Sequence, residues 1–341
     1  MKTIILNQPG ELVLTDREIN DDLAENEALL KIHRIGICGT DYHAYRGKQP
    51  FFSYPRVLGH ELGAEVIALG KGVANDKIVV GNKVSVEPYL NCGHCQSCRN
   101  GKSNCCENLK VMGVHIDGGM CEYMKIPANK LHPSDILSYE QLALVETLGI
   151  GAHAVQRANV NSNDIVLIIG AGPIGLSVIQ FAKIHQAQIA VMDFSNQRLD
   201  FANEIIGTDY SIVPTDDFST DNLRKILGGN LPTIIFDATG NAQSMMKAFS
   251  LLAFGGKLVY VGLFQGEVTF FDPDFHRREV TLLASRNALP TDFTNIIQQM
   301  ESGKIDTKAW ITHQTNFDEL PKMFDSWLDP KSQVIKAMAV L

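Results

Sequence analysis

The stretch that most constrains this 341-residue chain is Ile165-Val166-Leu167-Ile168-Ile169, followed at once by Gly170-Ala171-Gly172-Pro173-Ile174-Gly175. The first five residues are apolar without a break and mostly β-branched, which suits a parallel strand buried on both faces. The glycines fit G-x-G-x-x-G, and residues 174–184 continue with helical spacing. In such a turn Gly170 permits the tight bend, Gly172 lets the backbone approach a pyrophosphate, and Gly175 lets helix and strand pack closely. The helix start offers free N–H groups and a positive dipole end to an anion. Pro173 sits where no N–H is missed. Asp193 closes the next apolar run, where a carboxylate bonds the adenosine ribose and repels a 2′-phosphate. Residues 194–197 hold no cation and Arg198 comes slightly late, so the pattern predicts NAD rather than NADP.

The alternation continues. Runs 189–192, 234–236, 257–261 and 280–284 read as strands, and 197–206 and 242–252 as helices. This predicts an α/β fold with a doubly wound parallel sheet. Residues 1–150 differ: short strand-like runs at 28–32, 63–67 and 83–86 are separated by Gly, Pro and Asn turns. The pattern changes near Ser138, and 139–155 reads as a helix. After Ala288 come a helix over 291–300 and a strand-like 334–340. A chain of this length favours two domains, since single domains usually run to about 100–200 residues.

Five of the seven cysteines fall between positions 92 and 106. Cys92-x2-Cys95-x2-Cys98-x7-Cys106 supplies four thiolates from one short loop, which suits tetrahedral zinc with no open position, hence a structural ion. Cys105 competes with Cys106, and spacing does not separate neighbours. The odd count and the absence of a signal-like N-terminus argue against a disulfide framework. A second group is dispersed: Cys38, His60, Glu61 and Glu146. Three such ligands plus water or substrate make a catalytic site, but a lone Cys38 is more often a buried hydrophobe, a lone His60 more often a satisfied core or surface residue, and Glu146 reads also as an exposed helix-start residue.

Taken together, Gly36-Ile37-Cys38-Gly39-Thr40-Asp41-Tyr42-His43, Tyr54-Pro55-Arg56-Val57-Leu58-Gly59-His60-Glu61, the cysteine lobe and Gly170 to Gly175 resemble the zinc-containing medium-chain dehydrogenases. They stand in that family's order and span most of the chain. The polyol and sugar-acid branch is the nearest in character, the branch of sorbitol, threonine, galactitol-phosphate and galactonate dehydrogenases. Residues 49–55, 113–119 and 285–288 particularly resemble bacterial L-galactonate-type 5-dehydrogenases.

The resemblance implies a GroES-like catalytic domain over 1–150, completed by 287–341, and a Rossmann NAD-binding domain over 151–286. It implies two zinc ions. The catalytic one is held by Cys38 and His60, with Glu61 and Glu146 supplying carboxylates, one ligating directly while the other exchanges with water. Asp41 would hydrogen-bond the distal nitrogen of His60. Bound zinc lowers the pKa of a coordinated oxygen, from ~16 to ~7 for water, and the implied activity passes hydride from a secondary alcohol to nicotinamide C4. Thr40 would take the hydroxyl proton and His43 would pass it to solvent. Arg286 and Arg46 are candidates for a substrate carboxylate, His115 for a polar substrate contact, and Phe51, Phe52 and Tyr54 for pocket walls.

The net charge of −8 and the lack of a basic block weigh against a nucleic-acid partner, including the zinc-ribbon reading of the lobe. The apolar runs are too short for a membrane span. A cytoplasmic enzyme acting on a small polyhydroxy substrate is the expectation, assembled as a homo-dimer or tetramer. L-Threonine and sorbitol-type polyols are the substrate alternatives, and an NAD-binding zinc redox sensor is the non-enzymatic one.

Overall fold

The computed structural model describes residues 1–20, 22–50, 52–73 and 78–341. Phe51, a candidate pocket wall, lies outside them. The chain divides into two compact units, Met1–Thr147 with Ala288–Leu341, and Leu148–Asn287.

The second unit is a six-stranded parallel sheet. Its strands in chain order are Ile165–Ile169, Gln188–Met192, Tyr210–Ile212, Ile234–Asp237, Lys257–Tyr260 and Thr281–Ala284. In space they run third, second, first, fourth, fifth, sixth. The order reverses at Ile165–Ile169, so the crevice beyond its carboxyl end is the expected ligand position. Leu167, Ala190, Ile235 and Leu258 are fully buried in its core.

The first unit is β-rich. Its largest sheet has seven strands, with Glu27–Ile37 near the middle. That strand pairs antiparallel with Glu61–Leu69 on one side and with Lys336–Val340, from the far end of the chain, on the other. The C-terminal segment is thus built into the first unit, and Phe317, Phe324 and Trp327 join Ile32, Leu62 and Val84 in one core. The pairing sets Gly36 opposite Glu61 and Ala337 opposite Ile37. Three strand ends therefore meet beside Cys38. Gly36 is required there, because a Cβ would lie 2.1 Å from a Glu61 carboxylate oxygen. Among the described residues no helix is long and apolar enough to cross a membrane.

Candidate metal centres and dinucleotide turn

Cys38 caps the short helix Gly39–Tyr45, which carries Thr40, Asp41 and His43. The Asp41 carboxylate is fully buried. It accepts the Cys38 N–H at 2.9 Å and the Gly59 N–H at 3.5 Å. It thereby ties the segment bearing Cys38 to the one bearing His60. The hydrogen bond expected between Asp41 and His60 is not formed: Asp41 Oδ1 lies 3.8 Å from His60 Nδ1, which has no hydrogen-bond partner. At that separation the effect of the carboxylate on the imidazole is electrostatic. Residues 57–59 are fixed in turn by the backbone N–H groups of Gly118, Gly119 and Met120.

The ligand atoms of Cys38, His60 and Glu61 lie within 4.8 Å of one another. His60, Glu61 and Glu146 are all buried. Glu61 has a partner that sequence reading missed: Lys336 Nζ sits 2.6 Å from both of its oxygens and 3.2 Å from the Ile37 carbonyl. Glu146 stands outside the trio, and its Oε1 accepts the Tyr89 hydroxyl at 2.5 Å. Burial opposes charge on His60, but Asp41, Cys38 and Glu146 lift its pKa well above the usual histidine value. Burial also raises the Asp41 and Glu146 carboxyls. The pocket thus holds a surplus of negative groups over its one buried lysine. A thiolate, an imidazole and a carboxylate in such a field fit a dication such as zinc.

Thr40 is half-buried and His43 exposed. Partial burial and the nearby Arg46 and Lys48 hold the His43 pKa below the usual 6.5. Of the substrate candidates, Arg46 donates to the Leu328 carbonyl at 3.1 Å. His115 Nδ1 accepts the Val111 N–H at 3.1 Å, so this nitrogen holds a turn. Arg286 is exposed.

In the lobe, the sulfurs of Cys92, Cys95, Cys98 and Cys106 also lie within 4.8 Å of one another, while Cys105 is exposed. Donors already point at them. The Cys95 N–H reaches Cys92 Sγ at 3.4 Å, the Cys92 N–H reaches Cys106 Sγ at 3.3 Å, and Asn91 Nδ2 reaches Cys98 Sγ at 3.6 Å. Backbone N–H groups of His94 and Cys95 lower the Cys92 thiol to about 6. Four preoriented sulfurs of this kind suit zinc.

In the second unit the helix Pro173–Ile184 starts at Gly172. Gly170 has φ +97°, and a Cβ on Gly175 would lie 1.8 Å from the Gly170 carbonyl oxygen, so only glycine permits the approach of helix to strand. At Gly172 a Cβ would meet only Arg198 Nη1, at 3.8 Å, which leaves an open cradle for a phosphate. The short helix Asn196–Phe201 brings Arg198 back to the glycine turn, nearer than its place in sequence suggests. Asp193 accepts the Ala171 N–H at 2.7 Å on one oxygen and the Ser195 N–H at 2.9 Å on the other. Each oxygen keeps a second acceptor site.

Comparison with known proteins adds to this geometry. Residues 24–136 match the alcohol dehydrogenase GroES-like domain, and residues 173–302 match the zinc-binding dehydrogenase domain. The chain is 42% identical to L-galactonate-5-dehydrogenase of Escherichia coli K12, over 99% of this chain and 98% of that protein. It is 29% identical to sorbitol dehydrogenase of Bacillus subtilis 168, over 99% and 96%. Among solved structures, the alcohol dehydrogenase RspB of E. coli CFT073, determined with the cofactor NADH, superposes with a TM-score of 0.93 at 30% identity, covering 100% of this chain and 99% of that one.

Proposed function

Because the chain belongs to the zinc-binding dehydrogenases that carry an alcohol dehydrogenase GroES-like domain, we propose that it oxidises a secondary hydroxyl of a sugar acid or polyol with NAD, L-galactonate first among substrates. The observation that carries this reading is the meeting of half-buried Cys38 with buried His60 and Glu61. The 42% identity to an L-galactonate-5-dehydrogenase, over 99% of this chain, supports the choice of substrate.

The first unit is the catalytic domain and the second binds NAD. Cys38 and His60, with a carboxylate from Glu61 or Glu146, hold a catalytic zinc. Cys92, Cys95, Cys98 and Cys106 hold a structural one. When bound, the catalytic ion supplies a Lewis acid that makes a substrate hydroxyl easy to deprotonate at neutral pH. Asp41 keeps the Cys38 and His60 segments in register. Thr40 Oγ1 accepts the hydroxyl proton as it gives up its own toward exposed His43, which is neutral because its pKa is depressed and which passes a proton on to water. The Gly170–Gly175 turn receives the pyrophosphate, and Asp193 the ribose. Arg286 and Arg46 are the cations proposed for the sugar-acid carboxylate.

The exposed edge strand Thr281–Ala284, with Leu282 uncovered, supports a homo-oligomer joined sheet to sheet. Seven free cysteines suit the reducing cytoplasm.

The test is NADH formation across hexonates, polyols and L-threonine, with zinc measured on the same preparation. Turnover with a hexonate on zinc-loaded protein is expected. Preference for L-threonine or sorbitol would change the substrate, and zinc-loaded protein inert toward all three classes would reject the reading.

A further inference from the structure

The segment leading into the cysteine lobe carries a buried hydrogen-bonded chain that the proposed reaction leaves unused. The Glu87 carboxylate takes Lys130 Nζ at 2.5 Å and pairs with His132 Nε2 at 3.2 Å. Lys130 also donates to Asn91 Oδ1 at 2.9 Å, and Asn91 in turn reaches the sulfur of Cys98. Glu87 and Asn91 are thus pinned on either side of Tyr89. The Tyr89 ring is 3% exposed and packs edge-on against Phe293, with centroids 6.3 Å apart. Phe293 is itself stacked on His132 at 4.8 Å. Tyr89 also pairs with Val111 in the short ladder at the base of the lobe. Its backbone and its ring are both held, so its hydroxyl has one direction in which to point, toward Glu146 Oε1.

The two carboxylates of the open site differ in what holds them. Glu61 has the Lys336 ammonium on both oxygens, each of which keeps a second acceptor site. Glu146 has a phenol hydroxyl on one oxygen instead of an ammonium on both.

We propose that Tyr89 is a positioning residue. By holding Oε1 of Glu146 it fixes the direction of that carboxylate beside the Cys38, His60 and Glu61 trio, so that Glu146 is presented to the metal in one orientation. The inference rests on reading Cys38 and His60 as a metal centre. It also places the cysteine lobe as the anchor of Tyr89, through Asn91 and Lys130.

Tyr89→Phe removes the hydroxyl and keeps the ring. In the full-length zinc-loaded protein, the rate of zinc release to excess dipicolinate is the readout, with Cys38→Ser identifying which release phase belongs to the open site. Losing a group that orients a ligand typically weakens a site 10–100-fold, so release from the open site should speed roughly 10-fold while the lobe phase stays unchanged. With cobalt in the open site, the d–d bands should shift. In a Glu146→Ala background the same substitution should change release less than about twofold, because residues acting through one contact are not additive. Unchanged release in Tyr89→Phe, or an equal acceleration in both backgrounds, overturns the inference. Wild-type protein with no chelatable ion beyond the lobe overturns the metal-centre reading itself, and this inference with it.

Discussion

The two cysteine-bearing centres of the first unit are built in opposite ways. The lobe draws four sulfurs from residues 92–106, with backbone N–H groups aimed at them. The open site gathers Cys38, His60 and Glu61 from separate strand ends, with Lys336 arriving from the other end of the chain. The lobe offers one kind of donor and no vacancy, which suits holding a fold together. The open site offers mixed donors, with a buried lysine on Glu61, which suits chemistry. The two centres thus differ both in their donors and in the groups around them.

The sharpest way to break that contrast is to exchange the losses. Cys38→Ser should lose turnover entirely and keep the lobe ion. Cys98→Ser should lose the lobe ion and lower the melting temperature. Zinc analysis with NADH formation on both variants checks this, and an active Cys38→Ser enzyme carrying a single ion would collapse the distinction.

Lys336→Met probes the long-range part of the open site. It leaves Glu61 buried without its cation, and breaking a buried pair in this way typically costs about 3–5 kcal/mol. Denaturant unfolding should show a loss of that size. A loss under about 1 kcal/mol would mean that the pair is not needed to hold the strand ends together.

A smaller and purely chemical effect is expected at Thr40. Thr40→Ala should lower turnover by about 10²-fold, the low end for lost proton transfer, while zinc content at both centres stays the same. Turnover near wild type would remove Thr40 from the relay.

The mildest test is pH. Partial burial, Arg46 and Lys48 disfavour the His43 imidazolium, so its folded pKa lies below 6.5. His43 is then neutral and able to accept a proton throughout the neutral range. Activity should fall only as pH drops through that lowered value. His43→Gln should remove this acid limb and reduce turnover a few-fold at neutral pH, as pH–rate profiles of the two proteins would show.

The same contrast explains what could be read from sequence. Ile165–Ile169 was legible because a strand buried on both faces is apolar throughout. The cysteine lobe was legible because its spacing is local. Short elements escaped notice: Tyr210–Ile212 and Thr220–Ile226 are too brief for periodicity to register, and Ile311–Asn316 alternates with polar residues that look like loop. The open site depended on resemblance, since no local pattern joins Cys38 to His60. Its two unforeseen members are set by tertiary pairing, with Lys336 distant in sequence from Glu61 and Tyr89 from Glu146. One signal was available. Lys336 lies within an otherwise apolar strand, Lys336–Val340, preceded by Ile335, and a lysine buried in such a run needs an acidic partner.

Zinc-edge anomalous diffraction from crystals grown with NAD tests the central claim most directly. Two peaks per chain are predicted, one among the four lobe sulfurs and one within bonding distance of both Cys38 and His60, together with dinucleotide density on the Gly170–Gly175 turn. Fully metallated protein with a single peak at the lobe, or with the glycine turn empty at saturating NAD, would contradict it.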